Sequence, residues 1–178
     1  LFKIGMNFFF DKASTLQLYM YHNQITLVMV LIWIIFSFLG YYLKSKKCIH
    51  KISIFLLVFI FIQEFFDYVN RFTNEFYYGG GFNLERDIPL QLCHFAYWFS
   101  VLTIFIVVTK KFQSIKQLSF NLAYFFGFSG ALMGILTVSL ESIFTFGDIF
   151  HLHLQHSLVI LNVLWLIFAY NFKFSFNG

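Results

Sequence analysis

Few side chains in this sequence can do chemistry, and most of them fall near the ends of long apolar stretches. Cys93 is the best nucleophile among them, four residues past Pro89 in the segment Pro89-Leu90-Gln91-Leu92-Cys93-His94. A thiol attacks well once a base removes its proton or a positive field favours the thiolate. Proline suits the first turn of a helix, so Cys93 falls in the second turn, where the helix dipole has faded. His94 follows it directly but points about 100° away around a helix, so the expected base comes from another helix. His156 is that candidate, the deepest of His151, His153 and His156 in the last apolar stretch. Thiol and imidazole at a lipid interface suit acyl transfer through a thioester. On spacing alone, the plainer reading of Cys93 is a small buried hydrophobe.

The carboxylates come next. Glu64 and Asp67 lie three residues apart and share a helical face, with Arg71 four residues further on. Asp67 and Arg71 would neutralise each other and staple a helix bundle; the sharper reading has the two carboxylates serving a substrate or a metal, and in an acyltransferase either could orient the imidazole. His22 lies near the start of the first apolar stretch, and Arg71 or Arg86 offers a bidentate grip on a lipid phosphate. The three late histidines with Asp148 are types that zinc accepts. Their spacing matches no zinc pattern, and no metal or cofactor is assigned.

The elements that must position these residues are membrane spans. Apolar residues make up 60% of the chain and charged residues 11%, far outside the soluble range. Stretches of about 20 apolar residues, enough to cross a bilayer core of about 30 Å, recur five times: 16–43, 52–72, 89–108, 118–140 and 152–172. The fold expected is all-α, a polytopic transmembrane helix bundle forming one integral membrane domain over 1–178. The apolar stretch Leu1–Phe10 is too short to span and lacks a small-residue cleavage site, which reads as an interfacial segment.

Lysines set the orientation. Lys44, Lys46, Lys47 and Lys51 follow the first span and Lys110, Lys111 and Lys116 the third, whereas Glu141 and Asp148 follow the fourth. The positive-inside rule then places the amino terminus outside and the carboxyl terminus inside, in a multi-pass protein of the cell membrane. The net charge of +4 is accounted for by this asymmetry; membrane lipids are the expected partners, with no nucleic acid. Cys48 and Cys93 fall on opposite sides of the membrane, so they do not form a disulfide. Cys93, His156, Glu64, Asp67 and His22 come from four spans yet all fall in the outer half. In the fourth span Gly127, Gly130, Ala131 and Gly134 share a face, which reads as close helix packing.

Several stretches together resemble the YwaF-like family of bacterial integral membrane proteins, distantly related to a eukaryotic transmembrane family of phospholipid acyltransferases. Phe82-Asn83-Leu84-Glu85 followed by Pro89-Leu90-Gln91-Leu92-Cys93 is similar to its "F-x-L-E…P-L-H-L-C" stretch. Leu122-Ala123-Tyr124-Phe125-Phe126-Gly127, then Gly130-Ala131-Leu132, resembles its "L-A-Y-F-W-G…G-A-L" helix, and His156 falls on the histidine of "S-H-G-L-I". His22 sits where the family has a histidine opening its first span. The resemblance implies transfer of a fatty acyl group without acyl-CoA, with Cys93 as acyl carrier and His156 as base. Gln91 stands at the place of the usual histidine as a substrate-binding or orienting residue. His94, Met133 and Val138-Ser139 also depart from the family pattern. Members usually continue with a further span or two, so a chain ending at Gly178 is expected to lack carboxyl-terminal helices. The alternative functions are a substrate-binding membrane subunit of a transporter and a non-catalytic membrane protein. Against the former, residues 26–43 carry no alanine for docking a partner.

Overall fold

A computed structural model of the chain describes residues 13–44, 47–73, 92–138 and 146–175, with side chains omitted at 70–73. Pro89, Gln91, Arg86 and the side chain of Arg71 therefore lie outside the described residues. The described residues are helical, without strands: α1 (Thr15–Leu43), α2 (Cys48–Thr73), α3 (Leu92–Thr109), a 3₁₀ turn (Gln113–Ile115), α4 (Lys116–Phe126), a π-helical segment (Gly127–Leu132), α5 (Met133–Leu136) and α6 (Phe146–Tyr170). The 3₁₀ turn through α5 forms one continuous apolar unit, so five helices are long and apolar enough to cross a membrane.

Local chemistry accounts for several boundaries. Ser14 and Gln17 form a capping box: the Gln17 N–H donates to Ser14 Oγ, and the Ser14 N–H to Gln17 Oε1. Helix α6 begins at Phe146, six residues before the start expected from hydropathy. His151 and His153 depress the apolar signal without opposing helix formation, and Asp148 in the first turn favours a helix amino terminus. The same helix stops at Tyr170 because Asn171 turns left-handed at φ 56°, a conformation asparagine tolerates better than most residues. Lys110 and Phe112 also adopt positive φ, folding the connection between α3 and α4 into a tight antiparallel turn.

The last helix is the hub. Of its apolar window, 61% is buried against 17% for α1, so α6 is wrapped by its neighbours while α1 leaves one side open. Exposed Leu27, Leu31, Ile35, Phe38 and Tyr42 line that open side. A soluble protein would not leave so continuous an apolar surface uncovered; in a bilayer it faces lipid. Helix α1 runs parallel to α6, with Thr26 against His153, Trp33 Nε1 donating to Ser157 O and Phe36 against Trp165. A Cβ on Gly40 would lie 3.2 Å from the Ala169 nitrogen, so glycine permits this close approach.

Helix α2 runs antiparallel to α6. Trp165 Nε1 donates to Ser53 Oγ at 2.9 Å, Gln155 Nε2 to Glu64 Oε2 at 3.4 Å, and His151 Nε2 lies 3.2 Å from Asp67 Oδ1. The outermost contacts are 14 residues apart on both helices (67 − 53 and 165 − 151), about 21 Å at about 1.5 Å per residue. Two ends follow. The lysine end holds Lys44, Lys51, Lys110 and Lys116; the histidine end holds His22, Glu64, Asp67, Cys93, His94, His151, His153 and His156.

At the lysine end Ser53 and Thr103 are centres of closed hydrogen-bonded sets. Ser53 Oγ receives the Trp165 N–H, lies 2.8 Å from Tyr170 Oη and donates to Ile49 O at 2.9 Å; Thr103 and Ser119 hydroxyls meet at 2.8 Å. Replacing Ser53 with Ala would strand the indole N–H of a fully buried tryptophan. Such a loss costs about 1–2 kcal/mol in a membrane bundle. Thermal unfolding in detergent, followed by tryptophan fluorescence, should show a lower midpoint for Ser53→Ala and a smaller loss for Ser53→Thr.

Candidate functional site

The carboxylates of α2 are deeply buried, Glu64 4% exposed and Asp67 0%. Charges at such depth persist only beside compensating polar groups. The antiparallel register supplies them, bringing Gln155 to Glu64 and His151 to Asp67. Both partners lie on α6, one turn apart. Neighbouring Gln63 is 5% exposed, and neither of its amide atoms has a partner among the described residues.

The three histidines of α6 diverge to separate tasks. His151 takes Asp67. His153 Nδ1 lies 2.8 Å from Ile149 O and its Nε2 lies 3.0 Å from Thr26 Oγ1. A carbonyl only accepts, so Nδ1 carries the hydrogen and, in the neutral ring, Nε2 accepts from the threonine hydroxyl. His153 is fully engaged in holding α1 to α6, with the His22 ring edge-on at 4.9 Å. His22 Nδ1 itself has no partner among the described residues. Among the described residues no three His, Cys, Asp or Glu side chains converge as metal ligands, and this division of labour is the reason.

His156 is different. Its Nδ1 donates to Leu152 O at 2.8 Å, which leaves the lone pair of the neutral ring on Nε2. The backbone carbonyl, rather than Glu64 or Asp67, therefore orients this imidazole. Nε2 faces Gly134: a Cβ there would lie 2.7 Å from it. One turn earlier, a Cβ on Gly130 would lie 2.9 Å from the Cys93 backbone nitrogen. Glycines four residues apart thus admit Cys93 on one flank of the fourth span and His156 on the other, within about 6 Å along its axis.

The glycine face is not a straight α-helical stripe. Residues 127–132 form π-helix, a local widening found most often at functional sites. Gly127 faces Val159 and Val163 of α6, whereas Gly130 faces α3, so the small residues serve two neighbours. A uniform 100° step places them on one packing face; the π segment departs from that step.

Cys93 brings a second departure. Its Sγ lies 3.7 Å from His94 Nδ1, although successive residues diverge around a helix. Backbone direction alone had set His94 aside; the imidazole is long enough to turn back to the preceding side chain. His94 is 5% exposed, so the contact is shielded from bulk solvent on the imidazole side. The arrangement contains a thiol beside one imidazole, a second imidazole with an available Nε2 across Gly134, and two buried carboxylates behind α6. Nucleophilic attack and proton transfer would need groups of these kinds.

The Gly134–His156 contact can be tested without knowing the reaction. Gly134→Ala should push the ring from its place and cost about 1–3 kcal/mol, the usual penalty of overpacking. In a double-mutant cycle read by thermal unfolding, adding His156→Ala should recover most of that loss. Additive losses would place the ring elsewhere.

No curated protein and no solved structure matches this chain. A family model does, over residues 13–178, which takes in every helix described above. The chain, with Cys93 and five of its six histidines gathered at one end of the bundle, belongs to the TMEM164 family.

Proposed function

We propose that this membrane protein moves a fatty acyl group between membrane lipids through a thioester on Cys93. The observation that carries the reading is the 3.7 Å contact of Cys93 Sγ with His94 Nδ1, set across Gly130 and Gly134 from the His156 ring. His94 accepts the thiol proton. The thiolate attacks the ester carbonyl of a donor lipid; the carbon–oxygen bond to the lipid alcohol breaks, and that alcohol leaves with the proton from the imidazolium. A second lipid hydroxyl then gives its proton to His156 Nε2 and attacks the thioester; the carbon–sulfur bond breaks, and the departing thiolate recovers that proton from the His156 imidazolium, restoring the thiol. Each ester bond lost is replaced by one gained, so no acyl-CoA or other co-reactant is required.

In this reading Glu64 and Asp67 hold Gln155 and His151 in place behind the site, and His22 buttresses His153. Arg71 and Arg86 are assigned as phosphate grips and Gln91 as a substrate-orienting residue on sequence alone, since their side chains lie outside the described residues. The resemblance to the YwaF-like proteins supports the same assignment of Cys93 and His156. Lysine asymmetry supports a site in the outer leaflet of the cell membrane, with the amino terminus outside and the carboxyl terminus inside.

The test is intact-protein mass spectrometry of purified protein incubated with mixed phospholipids. Wild type should gain the mass of one acyl group that hydroxylamine removes. Cys93→Ala should gain nothing, and any ester on Cys93→Ser should resist hydroxylamine. Loss of a proton-transfer group typically slows a reaction by about 10²–10⁴-fold, so His94→Ala should slow acylation and His156→Ala transfer to the acceptor. A folded wild type that never acquires an adduct overturns the proposal and favours a binding protein.

A further inference from the structure

A groove of about 660 Å³ runs along the outside of the bundle between α1, the π segment and α6. Val30, Trp33 and Tyr41 of α1, Leu132 of the π segment, and Leu164 and Phe168 of α6 mark its course. Two dimensions suit a single hydrocarbon chain. At the roughly 30 Å³ that a water-sized group fills in a liquid, the groove holds about twenty such groups. From Val30 to Tyr41 it extends about 16 Å at about 1.5 Å per residue, close to half of a bilayer core of about 30 Å.

The groove runs from Leu132, at the depth where Gly130 and Gly134 face Cys93 and His156, toward the opposite end of the bundle. Tyr41 lies two residues before the end of α1 and Phe168 two before the end of α6, so its mouth opens at the lysine end. There the Lys44 ammonium sits 4.5 Å over the ring of Tyr41, itself a lining residue. A cation is thus parked where the headgroup of a lipid seated in the groove would emerge. Lysines at a membrane surface favour anionic lipids, and basic sites between transmembrane helices recognise their headgroups.

We propose that this groove holds one acyl chain of an anionic phospholipid from the lysine-end leaflet, with the lipid phosphate on Lys44. The site is separate from the thioester chemistry and stands or falls without it. Apolar walls supply tail affinity regardless of headgroup, and Lys44 supplies the choice of headgroup. The lysine need only swing from the tyrosine face to meet a phosphate, exchanging a cation–π contact for a charge-assisted hydrogen bond.

The experiment is native mass spectrometry of protein released from vesicles of equal phosphatidylglycerol and phosphatidylcholine. Wild type should retain one phospholipid per chain and favour phosphatidylglycerol about fivefold, the ratio one lysine confers at a membrane surface. Lys44→Gln should retain a lipid but lose the preference. Leu164→Trp and Ile34→Trp should each lose the retained lipid. Ile34 also lines the groove and is 46% exposed, so a tryptophan there fills the groove with little disturbance of the core, and an unchanged melting temperature checks it. Equal retention of the two lipids by wild type, or retention that survives both tryptophans, overturns the proposal. A dimer in place of lipid, dissolved by Ile34→Trp, assigns the groove to a second copy and overturns it too.

Discussion

Within a bilayer a polar side chain has no water to fall back on, and in this bundle most such groups are fastened to α6. Its successive turns present His151 to Asp67, His153 to Thr26, Gln155 to Glu64, His156 to Gly134 and Trp165 to Ser53. Register follows from these contacts. A slip of one residue would rotate α6 by about 100° and separate all of the pairs together. Such concerted loss is what lets a few modest hydrogen bonds specify one arrangement, where apolar packing among phenylalanines would tolerate several.

That dependence explains why the fourth span is built from glycine and π-helix. The span must pass between α3 and α6 while leaving room for an imidazole on one side and a helix start on the other. Any side chain at Gly134 would occupy the place of His156 Nε2, and any at Gly130 would strike the backbone at Leu92 and Cys93. Glycine weakens an isolated helix by roughly 0.5–1 kcal/mol relative to alanine. Packing on both flanks offsets that cost, and the wider π turn sets the two glycines toward different neighbours.

Much of this was legible in the sequence. Apolar run length located the five spans, because a helix must cross a fixed thickness. Placing Cys93, His156, Glu64, Asp67 and His22 by their distance from helix ends put them at one end of the bundle, since rise per residue is constant. What escaped depends on side-chain reach or on a departure from ideal geometry. His94 was set aside on backbone direction, yet its ring turns back to Cys93. Hydropathy began α6 too late because histidine and aspartate resemble loop residues on that scale. Gln155 and Thr26 gain their roles only from the partners that tertiary register brings to them.

The two ends of the bundle differ in how completely their polar groups are used. At the lysine end, Ser53, Trp165, Tyr170, Thr103 and Ser119 form closed hydrogen-bonded sets, as a purely structural network must. At the histidine end, His22 Nδ1 and the Gln63 amide are left without partners among the described residues, and His156 keeps an available Nε2. Uncompensated groups in an apolar medium cost free energy, so stability alone would have closed this end as well. Asn162 breaks the pattern, fully buried with both amide atoms unpartnered, and nothing in its surroundings accounts for it. Elsewhere the asymmetry is consistent: one end of α6 closes its hydrogen-bonded sets, and the other holds thiol, imidazole and amide groups with hydrogen-bonding capacity left over.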